Sequence, residues 1–81
     1  MGTPRVLRLA VEHLVRGDWK AAHAIVQKDE ESPLYCWAHG IVHVMEGDLS
    51  NARYWYGQAK RPFPEKYPVA DAIAALKEVC N

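Results

Sequence analysis

The chain has 81 residues, 49% of them hydrophobic and 25% charged, a composition that fits one ordered globular domain and excludes a disordered tail. Ten Lys and Arg balance ten Asp and Glu, so no net field draws phosphate backbones or anionic lipid, and nucleic acid is excluded as an expected partner. No apolar run approaches the roughly 18 residues of a membrane span, and Met1-Gly2-Thr3-Pro4-Arg5 does not open a secretion signal, which predicts a cytoplasmic chain with no membrane contact.

Thr3-Pro4 reads as an N-cap followed by proline at the first helical position, and predicts a first helix from Pro4 to Arg16. Gly17 supplies a left-handed stop, and Asp18 can accept from the free N–H groups of a second helix, Trp19 to about Lys28. Asp29-Glu30-Glu31 makes a turn. Ser32-Pro33 repeats the cap-and-proline device and opens a third helix, Pro33 to Glu46. Gly47-Asp48 closes and reopens the chain again, giving a fourth helix from Leu49 to Lys60, and Arg61-Pro62-Phe63-Pro64 cannot remain helical. Pro68 starts a fifth helix, on which Val69, Ile73, Leu76 and Cys80 share one face and can close an exposed end.

These elements repeat. Gly17-Asp18-Trp19-x-x-Ala22 returns 30 residues later as Gly47-Asp48-Leu49-x-x-Ala52, and Val11, His13 and Leu14 are answered by Ile41, His43 and Val44. A period of this length marks units that bury their apolar faces by stacking. The predicted fold is all-α: one domain over residues 1–81, with two stacked antiparallel helix hairpins (4–28 and 33–60) and a C-terminal capping helix (68–80). Small residues set the pairing, Gly40 against Ala52 and Ala10 against Ala22, because no side chain stands between the backbones.

With Gly40 at the helix-contact glycine, Gly47 at the turn, Ala52-x3-Tyr56 and Ala59 on the second helix and Pro64 at the exit, the stretch Ser32 to Pro64 resembles a tetratricopeptide repeat. Pro4 to Gln27 matches more weakly through Ala10, Gly17, Ala22 and Val26, with Asp29 in place of an alanine, and the offset is shorter than that family's usual period. The resemblance implies a right-handed array of about five helices and a role in binding a protein or peptide. It brings no catalytic residue and no cofactor.

Where the repeat pattern carries Trp, Leu and Tyr, this chain has Cys36, His39 and His43. His39, His43 and Glu46 project to one side of a helix and can offer two nitrogens and an oxygen to a divalent metal, with His13 brought close by stacking; packed, hydrogen-bonded histidines are the plainer alternative. His23 aligns with Arg53 on a rim and is assigned no role. Arg16 and Glu46 are placed to pair between stacked helices. Cys36 stands three residues from His39, yet no orienting third group accompanies them, so no enzyme is expected. The two cysteines read as packed thiols.

Leu34, Trp37, Ile41, Val44 and Met45 form a second, apolar stripe, copied by Leu7, Val11, Leu14 and Val15. A stripe this large needs a cover. Helix five, a second copy of the chain in a homodimer, a partner helix, or a bundle that turns the histidine face outward would each provide one. The expected partner-binding surface is therefore Leu34, Trp37, Ile41 and Val44, with Tyr54 as an exposed ring and Arg53 beside it; Arg53 and Arg61 are placed to stack on nearby rings or grip a carboxylate.

Overall fold

Each Gly-Asp pair stops one helix and starts the next, as its chemistry requires. The computed structural model describes residues 5–64 and 69–80, and within them form α1 (Arg5–Val15), α2 (Trp19–Val26), α3 (Pro33–Glu46), α4 (Leu49–Gln58) and α5 (Val69–Val79). The fold is all-α, with no strand among the described residues. Gly17 (φ +80°) and Gly47 (φ +92°) take the left-handed conformation that a side chain would strain. Behind them the amide of Asp18 donates to the carbonyl of His13 at 2.8 Å, and that of Asp48 to the carbonyl of His43 at 2.9 Å, a helix end of the Schellman type. Each aspartate then accepts from the next helix, Asp18 from the amide of Ala21 at 3.2 Å and Asp48 from that of Asn51 at 3.3 Å. The sequence repeat is thus a repeat of local hydrogen bonding.

Helix ends elsewhere depart from expectation. α2 ends at Val26 rather than near Lys28, because the Asp29 carboxylate accepts from the amides of Glu31 and Ser32, both at 3.0 Å, and folds the backbone into a turn. α4 ends at Gln58 rather than Lys60. Lys60 itself takes the left-handed conformation (φ +58°), and the amide of Arg61 reaches back to the carbonyl of Tyr56 at 3.0 Å. Ser32 gives α3 no side-chain cap, although Pro33 holds its first turn. The expected Thr3-Pro4 and Pro68 starts lie outside the described residues.

α3 is the central element, packing against α4, α2, α5 and α1. Its residues Cys36, Trp37, Ala38, His39, Gly40, Ile41, Val42 and His43 are all buried, so the helix is covered on every side. Leu7, Val11 and Leu14 of α1 meet Trp37 and Ile41 of α3 and Ile73 and Leu76 of α5 in one core, where each fully buried aliphatic side chain contributes about 1.5–3 kcal/mol. α5 lies across α1 and α3, its backbone away from that of α4. The fifth helix therefore closes the array by covering the apolar stripe itself. Gly40 is the close-approach point: a Cβ there would sit 2.6 Å from Tyr56 Cδ2 and 3.3 Å from the carbonyl oxygen of Ala52. No described helix is long and apolar enough to cross a membrane.

A candidate tri-histidine metal centre

With its apolar stripe turned to α1 and α5, α3 directs His39 and His43 toward α2 and α4. The two imidazoles, one turn apart, stack with centroids 4.9 Å apart. From α2, His23 closes on both, edge-on, at 5.0 Å to His39 and 5.3 Å to His43. From α4, the indole of Trp55 lies against His39, centroids 4.0 Å apart and planes within 8°. Three imidazoles from two helices thus share one small volume beside an aromatic wall.

Within the cluster, the surroundings of His39 hold its ring neutral. His39 is 4% exposed and its Nδ1 has no hydrogen-bond partner, a costly state for a buried polar atom. Burial first, and then the neighbouring His43 and His23, push the His39 pKa down from 6.5 to about 4. At neutral pH its ring carries no charge and keeps a lone pair. His43 Nδ1 lies 2.8 Å from Glu46 Oε1, so the carboxylate holds that nitrogen as a donor, and in a neutral ring the lone pair then falls on Nε2.

A ligand nitrogen of each of His23, His39 and His43 lies within 4.8 Å of those of the other two. Tetrahedral zinc–imidazole bonds near 2.0–2.1 Å would bring such nitrogens to about 3.3 Å, so binding an ion would draw the three rings together by side-chain rotation. Neutral nitrogen donors suit zinc, nickel, cobalt or copper and do not suit calcium or magnesium, which take oxygen.

No family model, curated protein or solved structure matches this chain. The centre's chemistry rests on its own atoms.

Of the residues expected to hold a metal, His39 and His43 come together, whereas Glu46 hydrogen-bonds to Nδ1 of His43 and does not group with both rings. His13 stays away, its Nδ1 3.8 Å from Asp18. The third imidazole is His23, to which the sequence attached no role. Only its position one helix away, with no fixed spacing to the other two, brings it in. Arg16 and Glu46 form no ion pair, since Arg16 faces a groove beside α5. Cys36 donates its thiol to the carbonyl of Glu30 at 3.3 Å, and burial, then Asp29 and Glu30, push its pKa up, which leaves it a poor nucleophile.

The expected partner surface is corrected in part. Trp37 (4% exposed) and Ile41 (0%) lie in the core and present nothing to a partner. Leu34 and Val44 are half-buried against that core, while Tyr54 and Arg53 are exposed. Arg53 sits 4.3 Å over the ring of Phe63, and Arg61 sits 3.5 Å over that of Trp37. α5 supplies the cover over Trp37 and Ile41. The histidine face is buried as well, against the bundle that would turn it outward.

Proposed function

We infer that this protein binds one divalent transition-metal ion through His23, His39 and His43, with Glu46 orienting His43 from outside the coordination sphere. Convergence carries this reading: three imidazoles from α2 and α3, belonging to the two different repeat units, gather their nitrogens within 4.8 Å of one another. The carboxylate-to-histidine hydrogen bond supports it, because it sets the tautomer a metal requires. The buried, unpartnered Nδ1 and depressed pKa of His39 support it too, since at that ring a metal competes with no proton at neutral pH. The ion would tie the first hairpin to the second.

Thermal unfolding with added zinc or nickel tests the reading. At a hundredfold excess of free metal over Kd, binding to the folded state adds about 2.7 kcal/mol, on the order of 10–20 °C of melting temperature in a domain of this size. The His39→Ala/His43→Ala double variant must lose that gain. An unchanged melt for the unaltered chain at millimolar metal overturns the proposal.

A second role for the same scaffold, as a tetratricopeptide-like module that binds a protein or peptide, is supported by the large apolar side chains left about half exposed, among them Val6, Leu9 and Val15 on α1 and Tyr54 on α4. Light scattering and apolar-dye binding test it. A monomer that binds no dye would remove this second role and leave the metal reading standing.

A further inference from the structure

Three nitrogens do not complete a tetrahedral site. Among the described residues no fourth His, Cys, Asp or Glu joins His23, His39 and His43 within ligand reach. The nearest carboxylate, Glu46, is engaged at His43 Nδ1, and the two nitrogens of an imidazole point away from each other, so Glu46 cannot ligate an ion held by Nε2 of the same ring. Asp48 groups with Glu46 and His43 on that outer side.

Charge then decides what the remaining position prefers. A divalent ion on three neutral imidazoles keeps both its charges, and Glu46 in the outer shell offsets only one. The surplus sits beside buried His39, His43 and Trp55, where a low dielectric strengthens it. The α2 side is the less covered one, because His23 is only half-buried whereas His39 and His43 are buried. Sites with three protein ligands and a free position are the ones in which metals exchange water for incoming ligands.

Resting on the metal reading above, we propose that this centre keeps its fourth coordination position open and takes a small exogenous anion there, entering past His23. The full chain loaded with cobalt(II), whose visible absorption reports its ligands, is titrated with azide and, separately, with acetate. The expected result is a saturable spectral change with azide, with acetate competing for the same position. His23→Ala, at a half-buried position, is expected to weaken cobalt binding at least tenfold, with the metal-free melt of the variant as the control for its fold. Stoichiometric cobalt uptake with a spectrum that neither anion moves would overturn the open position and leave the metal reading intact. Failure to take up cobalt at all would overturn the metal reading itself.

Discussion

The imidazole of His39 lies flat against the indole of Trp55, their centroids 4.0 Å apart and their planes within 8°. Through this contact α4 roofs a site whose nitrogens come from α2 and α3. Trp55 is 8% exposed, so Trp55→Ala removes core packing as well as the roof and is expected to cost about 3–5 kcal/mol, a large fraction of the stability of a small domain. Denaturant unfolding measures it. A loss below about 1 kcal/mol would mean that the stack contributes little.

Acid should destabilise the metal-free protein through His39. Its pKa is about 4 folded, against 6.5 for the free side chain, so the unfolded chain binds the extra proton and stability rises with pH across that interval. The contribution is fully present above pH 6.5 and falls by up to about 1.4 kcal/mol per pH unit on the way to pH 4. NMR titration of the His39 ring in the folded chain gives the pKa directly. A midpoint near 6.5 would refute the assigned environment.

Two glycines in paired helices should respond to alanine with opposite signs. At Gly40 the new Cβ meets Tyr56 Cδ2 and Cε2 at 2.6 and 2.9 Å, and the overpacking is expected to cost about 1–3 kcal/mol. At Gly57 in α4 nothing lies within 4 Å, so alanine is expected to add roughly 0.5–1 kcal/mol by helix propensity. Ala52→Leu, at a fully buried site on the same seam, should lower the melting temperature as Gly40→Ala does. Equal melts for the Gly40 and Gly57 variants would contradict the α3–α4 seam.

Just beyond the end of α4, Lys60 takes a left-handed conformation, φ +58°, where the Gly17 and Gly47 junctions use glycine. Lys60→Gly is expected to stabilise by about 1 kcal/mol, and Gly47→Ala to destabilise by a similar amount. Chemical denaturation of both variants checks the pair. A loss of stability in Lys60→Gly would argue against that helix end.

Cys36 should resist thiol reagents in the folded protein. Its side chain is 1% exposed residue-wide, its Sγ is engaged by the Glu30 carbonyl, and its pKa is raised. Labelling followed by mass spectrometry is expected to modify it only at denaturant concentrations that unfold the chain. Rapid labelling under native conditions would refute this burial.

The sequence by itself determined whatever depends on neighbours along the chain. Gly17-Asp18 and Gly47-Asp48 dictate their turns because a left-handed residue and an N-capping carboxylate act within a few bonds, and the periodicity of Leu7, Val11 and Leu14 marks a buried face from spacing alone. His39 and His43 were legible as a pair for the same reason, being one helical turn apart. Tertiary structure decided two further things. It laid α5 over the stripe that holds Trp37 and Ile41, turning an expected partner surface into core, and it set His23 of α2 beside the α3 histidines while drawing Glu46 to the outer nitrogen of His43. Neither follows from spacing, because the angle and register at which two helices pack depend on the combined shape of many side chains, and a third imidazole on another helix leaves no interval in the chain to read.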